Sequence, residues 1–324
     1  MNTLKRFWTA AAAAVTVTAI LLFAALWTGR SMRSNEGTAA EPIRILCFKR
    51  ADDNEADTSD VWQQIYRGLR DAIGGDTNYT ISVYTYDDYL TLTDRIACAL
   101  LIKPDVVLLP AGDGGSYAAR FSELDALGIG YILFDGKDWP GTNRLGFITS
   151  DNWAAGYTAL EVLAGCTDDP LQIGLIGTGF PSRSLRDREN SFREAAAKRK
   201  GSVIVEEVHP VNAGSLLETI EGVRALLTRS PQINALFCSD SIAGQAAAEV
   251  LREFGRTDAV HLVCFDTNEY ILHAIEDGTI DATLMQRTYD MGRLCLQVLE
   301  DPAGPKEHLI DCVVITKNNL GLAR

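Results

Sequence analysis

Short apolar runs alternate with amphipathic stretches along most of the chain. In the first half, IRILCF, TISVYTY, DVVLLP and GYILFD alternate with predicted helices over 58–73, 88–101 and 115–127. In the second half, LQIGLIG, SVIVEEV, INALFCSD and HLVCFD alternate with predicted helices over 151–164, 184–200, 214–228 and 240–254. Continuous apolar strands separated by helices are typical of parallel sheets covered on both faces. The pattern therefore predicts an α/β protein.

The number of predicted elements favours two similar lobes over a single sheet. Each half of the chain repeats the same succession of strand and helix, which is the arrangement of a doubly wound fold. The boundary between the halves is expected within FITSDNWAAG, residues 147–156. We therefore predict two doubly wound parallel-sheet lobes.

An uncharged N-terminal run precedes the alternating pattern. Residues 7–27, FWTAAAAAVTVTAILLFAALW, are long enough to cross about 30 Å of hydrocarbon as a helix. Lys5 and Arg6 precede the run, which favours a cytoplasmic N-terminus with the remainder exported. A cleaved signal peptide has a shorter apolar core. We therefore expect an uncleaved transmembrane anchor within 1–30, a linker over 31–41, and a folded part held at the cell membrane outside the cytoplasm.

The charge of the chain excludes nucleic acid as a partner. The net charge is −13 at pH 7, and the first 33 residues hold four basic residues and no acid. Removing those four positive charges leaves −17 for the rest of the chain. Phosphate binding requires the opposite sign.

Neither the cysteines nor the histidines show the spacing of a metal or redox site. The seven cysteines include no CxxC pair, and Cys47, Cys238 and Cys264 lie in apolar runs, where we expect small buried hydrophobes. The four histidines lack HxxxH or HExxH spacing. GLIGTGFPS, residues 174–182, lacks the third glycine of a dinucleotide fingerprint and contains Pro181. We predict no metal, no cofactor and no disulfide framework.

Polar side chains stand at the ends of four predicted strands. Ligands of open parallel sheets bind beyond the carboxyl ends of the strands. The four residues are Asp135 after YILF, Asp240 after ALFCS, Asp266 after LVCF and Gln286 after ATLM. Groups of this type suit a polyhydroxylated ligand, because each hydroxyl both donates and accepts. The alternative is that Asp240 and Asp266 only cap the helices that follow them.

A series of motifs between residues 42 and 316 resembles a known family. They are, in order, VWQQIYRGLRDA, KPDVVLLPAGD, GIGYILFD, TSDNWAAG, RDRENSF, ALFCSDSIAGQAA, VHLVCFD and IDATLMQRTYDMG. Their order and spacing resemble the type 1 periplasmic binding proteins, in the sugar-binding branch typified by ribose- and galactose-binding proteins. The resemblance implies two lobes that are joined by a multi-strand hinge and close on a ligand. The N-terminal lobe would comprise 42–150 plus 287–309, and the C-terminal lobe 151–286 plus 310–324.

The resemblance also implies roles for individual residues. Trp62 matches an aromatic residue that packs on the sugar ring, although a plain core contact is the alternative. Asp135 matches the carboxylate that follows the fourth strand, Arg188 matches an Arg that binds ligand oxygens, and Asp266 matches the Asp of a GFD motif. Asp240 stands where the family usually has Asn. The expected ligand-binding residues are Trp62, Asp135, Asp151, Arg188, Asp240, Asp266 and Gln286.

Two features depart from the family pattern. Asp135 is followed by Gly136 and Lys137, where ribose binders often place Arg. The segment KRADDNEADTSD, residues 49–60, is longer and more acidic than the family's turn. We interpret it as a solvated acidic surface, with a cation or amino-sugar preference as the alternative. The identity of the sugar is therefore left open.

We expect a monomeric, non-enzymatic protein that captures a small sugar or polyol and presents it to the permease of an ABC importer. The alternative is a ligand-sensing partner of a membrane histidine kinase or chemoreceptor. A sugar-responsive repressor shares the fold but needs a basic helix-turn-helix segment at its N-terminus. A glycosidase also uses paired carboxylates, yet such a cluster binds sugars without chemistry as well. We further expect Asp266→Ala and Arg188→Ala to abolish stabilisation by ligand while leaving the ligand-free melting temperature nearly intact.

Overall fold

Strands and helices alternate along the chain, as the apolar pattern predicts. The structure, a computed structural model, describes residues 41–50, 61–86, 91–111, 117–136, 141–177, 179 and 182–323. The first elements are β1 (Ile43–Arg50), α1 (Val61–Ile73), β2 (Tyr79–Tyr86), α2 (Leu92–Ile102), β3 (Val106–Ala111), α3 (Ala118–Ala126), β4 (Gly130–Gly136) and β5 (Arg144–Ser150).

The second half of the chain continues the alternation. Its elements are α4 (Asn152–Cys166), β6 (Leu171–Ile176), α5 (Arg183–Lys198), β7 (Ser202–Val208), α6 (Leu216–Arg229), β8 (Ala235–Cys238), α7 (Ser241–Glu253), β9 (His261–Phe265), α8 (Glu269–Glu276) and β10 (Ala282–Met285). The last are α9 (Thr288–Glu300), β11 (Glu307–Ile310), β12 (Val313–Thr316) and a 3₁₀ helix (Leu320–Ala323).

The strands form two sheets with the same topology. The first sheet has the order β11-β5-β4-β3-β1-β2, and the second has the order β12-β10-β9-β8-β6-β7. The recorded pairings between neighbours are parallel, except that β12 runs antiparallel to β10. In the first sheet β2 lies on the outer side of β1 and β3 on its inner side. In the second sheet β7 and β8 flank β6 in the same way, which is a doubly wound order. The predicted fold of two doubly wound parallel-sheet lobes is confirmed.

The described chain passes between the two sheets at three places. It leaves the first sheet after β5 and enters α4, which packs on α5 and on β8, β9 and β10. It returns after β10 into α9, which packs on α1 and β5. Between β11 and β12 it crosses once more. Three segments of the chain therefore connect the two sheets, as the resemblance implied.

Helices cover both faces of the second sheet. On one face, Phe192 of α5 stacks on Phe237 of β8 with ring centroids 4.0 Å apart. On the other face, Val223, Leu251 and Ile271 come from α6, α7 and α8 and are fully buried. Strands covered on both sides have no solvent face. This burial explains why β8 and β9 read as continuous apolar runs.

Capping residues set the helix starts and move them from the predicted positions. Thr91 and Asp94 form a capping box, in which each side chain accepts the other residue's backbone N–H at 3.2 Å. Helix α2 therefore begins at Leu92 rather than near residue 88. Ser215 caps α6, so that helix begins at Leu216, two residues after the predicted start at residue 214. Apolar periodicity marks the helix body but not the residue that satisfies its first N–H groups.

The described residues belong to two units. Residues 44–75 and 81–323 form one, and residues 41–43 with 76–80 form the other. Within the smaller unit, Ile43 donates its backbone N–H to the carbonyl of Asn78 at 2.8 Å.

The described part of the chain includes no helix with both the length and the apolar character needed to cross a membrane. The predicted anchor at 7–27 lies outside that part, as do Lys137 and the acidic segment 51–60.

Glycines allow α1 and α9 to pack with their backbones in close approach. A Cβ added at Gly292 of α9 would lie 2.1 Å from the carbonyl oxygen of Ile65 in α1. A Cβ added at Gly68 of α1 would lie 2.0 Å from the carbonyl oxygen of Tyr289. Backbone atoms cannot move aside as a side chain can, so a larger residue at either position has to separate the helices.

We expect Gly292→Ala to lower the free energy of unfolding by about 1–3 kcal/mol because of this clash. Alanine is the better helix former by about 1 kcal/mol, so a loss of stability would show that the clash prevails. Urea denaturation measures the change. Gly75→Ala is the control, since a Cβ there meets nothing within 4 Å. Equal stabilities for the two variants would contradict the close approach.

Candidate functional site

Five of the predicted ligand residues lie at the carboxyl ends of strands. Asp135 is the penultimate residue of β4, and Asp151, Asp266 and Gln286 directly follow β5, β9 and β10. Asp240 comes two residues after the end of β8. The carboxyl ends of parallel strands share one edge of a sheet, so each sheet presents its own group of these side chains at that edge.

Two of these residues have a strained backbone. Among the described non-glycine residues, φ is positive at Lys103 (52°), Asp135 (55°) and Asp266 (63°). A left-handed conformation costs on the order of 1–3 kcal/mol in a non-glycine residue, and Asp tolerates it better than most residues. Strands β4 and β9 hold equivalent places in the two sheets. The same conformation therefore recurs at equivalent strand ends, each time in an Asp that follows a Phe.

Arg188 is the buried cation of the site. Its side chain projects from α5, and the residue is 2% exposed. Nε donates to Asn152 Oδ1 at 2.7 Å, and Nη1 donates to the carbonyl of Ser239 at 3.3 Å. The guanidinium carbon lies 4.4 Å from the ring centroid of Phe265. Hydrogen bonds and an aromatic face thus fix the position of this charge.

Asp266 connects Arg188 to the first sheet. Its Oδ2 lies 3.7 Å from Arg188 Nη1, and its Oδ1 accepts from Gln286 Nε2 at 2.7 Å. Gln286 Oε1 accepts in turn from the hydroxyl of Ser150 at 2.9 Å. Ser150 ends β5 in the first sheet. A continuous chain of polar contacts therefore runs from α5 through the end of β9 to the end of β5.

A glycine lets α4 approach the part of α5 that holds Arg188. A Cβ at Gly156 would lie 2.0 Å from Ser191 Oγ and 2.3 Å from the carbonyl oxygen of Arg188. This approach places Asn152, in the first turn of α4, within hydrogen-bonding distance of the Arg188 guanidinium.

Asp135 contacts hydroxyl groups from both halves of the molecule. Its Oδ1 accepts from Thr149 Oγ1 of β5 at 3.3 Å and from the hydroxyl of Ser184 in α5. The backbone N–H of Gly136 donates to the same Ser184 oxygen at 3.3 Å. Helix α5 packs with the second sheet. The contacts with Ser184 therefore join the end of β4, in the first sheet, to the start of a helix that belongs with the second sheet.

The structure resolves which aspartates cap helices. Asp240 Oδ1 accepts from the backbone N–H of Ala243 at 2.9 Å, and Asp151 Oδ1 accepts from that of Ala154 at 2.8 Å. Asp266 does not cap α8, because Asn268 takes that position. The capping alternative therefore describes Asp240 and not Asp266. Ligand contact stays a prediction for all three aspartates.

Trp62 packs at the end of β4. Its ring meets that of Phe134 edge to face, with centroids 5.7 Å apart, and the guanidinium carbon of Arg95 lies 4.4 Å from its centroid. Arg95 is 4% exposed and also lies over Phe48. The indole is half-buried, which fits a packing role. Stacking on a sugar stays a prediction for this residue.

The thiols near the site behave as small apolar groups. Burial raises the pKa of Cys312, which lies between β11 and β12, to about 11, with Arg188 opposing the rise. Burial raises the pKa of Cys264 in β9 to about 12. All seven cysteines are free thiols, and the prediction that Cys47, Cys238 and Cys264 are buried is confirmed.

Four polar residues of this region were missed in the sequence. Ser150 and Asn152 flank Asp151 in the motif TSDN, so their place at the end of β5 was a usable signal. Arg95 lies on the helix face that also carries the buried Leu92, Ile96 and Ala99, and a cation on an apolar face is a signal as well. Ser184 gave none, because only the three-dimensional fold brings it to Asp135.

Comparison with known proteins identifies the family. The periplasmic binding protein domain matches residues 54–305. The chain belongs to this family. It is a type 1 periplasmic binding protein, of the kind that includes ribose- and galactose-binding proteins.

Two curated relatives are similar to this binding protein along much of its length. The D-allose-binding periplasmic protein of Escherichia coli (strain K12) is 22% identical over 197 residues, which cover 57% of this chain and 63% of the relative, slightly less than two thirds of its length. The D-apiose import binding protein of Actinobacillus succinogenes is 22% identical over 256 residues, covering 74% of this chain and 79% of the relative.

Solved structures share the fold of this binding protein. GanP, a glucose-galactose binding protein from Geobacillus stearothermophilus, superposes with a TM-score of 0.72 at 21% identity, over 86% of this chain and 99% of GanP. A mutant form of the XylFII complex with LytSN gives a TM-score of 0.64 at 20% identity, over 86% of this chain and 99% of that chain.

A cavity of about 500 Å³ lies beside the crossing from β10 to α9 in the binding protein. Its walls include Thr267, Gln286, Tyr289 and Leu322. The other six predicted ligand residues do not line it. The cavity therefore borders the crossing and the carboxyl end of β10, and it does not extend to the other predicted ligand residues.

The burial of Arg188 revises one expectation from the sequence. We expected removal of this side chain to leave the ligand-free melting temperature nearly intact. The structure shows that removal takes the Arg188 donor from Asn152 Oδ1 and from the Ser239 carbonyl, and takes the opposite charge from Asp266. Arg188→Met should therefore lower the free energy of unfolding of the ligand-free protein by about 2–4 kcal/mol.

Chemical denaturation in the absence of ligand measures this loss. Arg186→Met is the matched control, since Arg186 is an exposed residue of the same helix. A difference within about 0.5 kcal/mol between the two variants would contradict the structural role of Arg188.

Proposed function

We propose that this binding protein captures a small sugar or polyol between the carboxyl edges of its two sheets. The observation that carries the proposal is the pair Asp135 and Asp266, held in the same left-handed conformation at the ends of equivalent strands. Backbone strain of this kind concentrates at ligand sites. An ionised carboxylate has about four acceptor positions, so one such group from each sheet can accept hydroxyls on opposite sides of a ring.

The contact between Asp135 and Ser184 supports a site shared by both sheets. It joins the end of β4 to the start of α5, the helix that also holds Arg188. We propose that Arg188 donates to a ligand oxygen beside Asp266. Charge-assisted bonds of this type are shorter and stronger than neutral ones, and exclusion of water strengthens them further.

The remaining predicted ligand residues take secondary places in the proposal. Gln286 lies beside Asp266 and can contact the same ligand group. In Asp151 and Asp240, one carboxylate oxygen caps a helix, so a ligand would meet the other oxygen. Trp62 would offer its ring next to Asp135, with Phe134 packed edge to face against it.

The relatives support a sugar as the ligand class. The two curated relatives are named for binding D-allose and D-apiose, and GanP for binding glucose and galactose. A structure of the same fold from Agrobacterium vitis was obtained with tagatopyranose bound. Relatives of this kind are binding proteins, and we propose the same non-enzymatic role for this chain.

The partner of the ligand-bound form is proposed to be an ABC importer. The D-apiose relative is named as an import protein, and the Agrobacterium vitis structure is that of an ABC transporter solute-binding protein. A signalling partner is the second candidate, because XylFII forms a complex with a second protein, LytSN. In both cases we propose an extracytoplasmic domain held at the membrane by the segment 7–27. Purification of the protein with ligand and with the permease or sensor encoded beside its gene distinguishes the two candidates by which one is retained.

We also propose the lobe boundaries that the family resemblance implies. Strand β11 pairs with β5 and α9 packs on α1, which supports an N-terminal lobe of 42–150 plus 287–309. Strand β12 pairs with β10, which supports a C-terminal lobe of 151–286 plus 310–324. A change in the angle between the two lobes would then close the cleft on its ligand.

Thermal unfolding against a panel of monosaccharides, polyols and amino sugars tests the proposal. A ligand at a hundred times its dissociation constant stabilises the folded state by about 2.7 kcal/mol, so a true ligand should raise the melting temperature by several degrees. Failure of every compound in the panel to shift the transition would contradict a sugar or polyol ligand.

Asp135→Asn should abolish the shift produced by that ligand. The amide keeps the size of the side chain, tolerates the left-handed conformation and can still accept from Thr149 and Ser184. Ligand-free stability should therefore change little. Asp258→Asn is the control, because Asp258 is an exposed aspartate that precedes β9 and so lies away from the carboxyl ends of the strands. A full ligand shift in the Asp135 variant, measured by differential scanning fluorimetry and calorimetric titration, would place the ligand elsewhere.

A further inference from the structure

Cys166, His261 and Asp281 meet at the edge of the second sheet that lies opposite the strand ends described above. Cys166 is the last residue of α4, His261 is the first of β9, and Asp281 directly precedes β10. The thiol sulfur, an imidazole nitrogen and a carboxylate oxygen all lie within 4.8 Å of one another. All three residues are half-buried. We call these three residues the base cluster.

The backbone holds the members of the base cluster in place. Asp281 Oδ2 accepts from the backbone N–H of Leu262 at 2.7 Å, and the Asp281 N–H donates to the Leu262 carbonyl at 2.9 Å. The His261 N–H donates to the carbonyl of Asn234 at 2.9 Å. Cys166 Sγ lies 3.2 Å from the carbonyl of Val162, one turn earlier in α4. Each side chain therefore projects from a backbone position that regular hydrogen bonds fix.

The donor set of the base cluster matches zinc. Thiolate, imidazole and carboxylate are the zinc ligands of proteins, and sites with three protein ligands keep the fourth position for water. Calcium and magnesium prefer oxygen ligands alone. We propose that the base cluster binds one Zn²⁺ ion through Cys166, His261 and Asp281, with a water molecule in the fourth position.

The separation of the ligand atoms is compatible with this proposal. Bond lengths of about 2.0–2.2 Å from zinc to nitrogen and oxygen place tetrahedral neighbours about 3.4 Å apart. His261 Nδ1 lies 3.2 Å from Asp281 Oδ1. The two atoms are thus already close to the separation that a shared metal ion requires, so binding needs little movement of either side chain.

Other histidines in the described chain have different surroundings. His273 lies 3.9 Å from Glu269 and 3.6 Å from Glu276 on the exposed face of α8, without a thiol. His209 lies near Glu207, whose carboxylate is bound by Arg193 at 2.7 Å. An arginine that already occupies the carboxylate opposes a second cation. The base cluster alone among these combines sulfur, nitrogen and oxygen donors.

The base cluster is separate from the proposed sugar site. Strand β9 leads from His261 to Asp266, and five residues of strand span about 17 Å. Helix α4 similarly leads from Asn152 near Arg188 to Cys166. The zinc proposal therefore stands or fails independently of the sugar.

Zinc titration of the reduced, metal-free, full-length protein tests the proposal. The protein is prepared without a histidine tag, and a chromophoric chelator competes for the metal so that the affinity can be measured. We expect one equivalent of Zn²⁺ to bind to the wild type, and Cys166→Ser, His261→Asn and Asp281→Asn each to weaken binding at least tenfold. Cys98→Ser, which changes another half-buried thiol, and His273→Asn are matched controls that should retain wild-type affinity.

Cobalt substitution gives a second readout, a spectrum that reports directly whether a thiolate binds the metal. Co²⁺ in the base cluster should show a thiolate charge-transfer band in the near ultraviolet together with the intense visible bands of tetrahedral coordination. Both should persist in Cys98→Ser and disappear in Cys166→Ser. The proposal would be overturned if Cys166→Ser bound zinc as tightly as the wild type. It would also be overturned if the cobalt-loaded wild type showed no thiolate band.

Discussion

A guanidinium that is almost wholly removed from water constrains much of this structure. Burying a charge costs several kcal/mol unless hydrogen bonds and an opposite charge compensate it. Arg188 obtains its compensation from Asn152 in α4, from the carbonyl of Ser239 after β8, and from Asp266 after β9. The relative positions of these elements are therefore fixed by one side chain. Because Asp266 also accepts from Gln286, and Gln286 from Ser150, the constraint reaches the crossing between the two sheets.

The two sheets share a topology, yet they surround their equivalent aspartates with different groups. Asp135 accepts from two neutral hydroxyls, whereas Asp266 accepts from an amide and lies beside a guanidinium. The backbone conformation is the same in both: a left-handed Asp follows a buried Phe at the end of β4 and of β9. A ligand held between them would meet a neutral polar surface on one side and an ion pair on the other. The repeated fold supplies the positions, and the side chains around them supply the asymmetry needed to orient a ligand.

The sequence was informative where physical requirements are local. Strands covered on both faces must be apolar throughout, so the two sheets and the buried Cys238 and Cys264 could be predicted from the runs that contain them. The polar residue that ends such a run is equally visible, which is why Asp135 and Asp266 could be predicted to lie at strand ends. Contacts between distant segments leave no such trace. Ser184 reaches Asp135 across the molecule, and the base cluster joins residues from three elements whose spacing matches no metal motif. The capping role of Asp240 was foreseen only as an alternative, because a cap and a ligand contact require the same side chain at the same position.

The hydroxyl of Ser184 bears on how a ligand can gain affinity at Asp135. In this structure it donates to the carboxylate as a sugar hydroxyl would, and it accepts from the Gly136 N–H as well. A ligand hydroxyl that replaces it exchanges one hydrogen bond for another, and such an exchange contributes little net free energy. A ligand hydroxyl that joins it uses another acceptor position of the same carboxylate and adds a bond. Affinity therefore depends on whether the ligand fits beside Ser184 rather than in its place. A ring that contacts Asp135 and Asp266 together, with Ser184 still bound, would retain the contact between the two halves while filling the space between them.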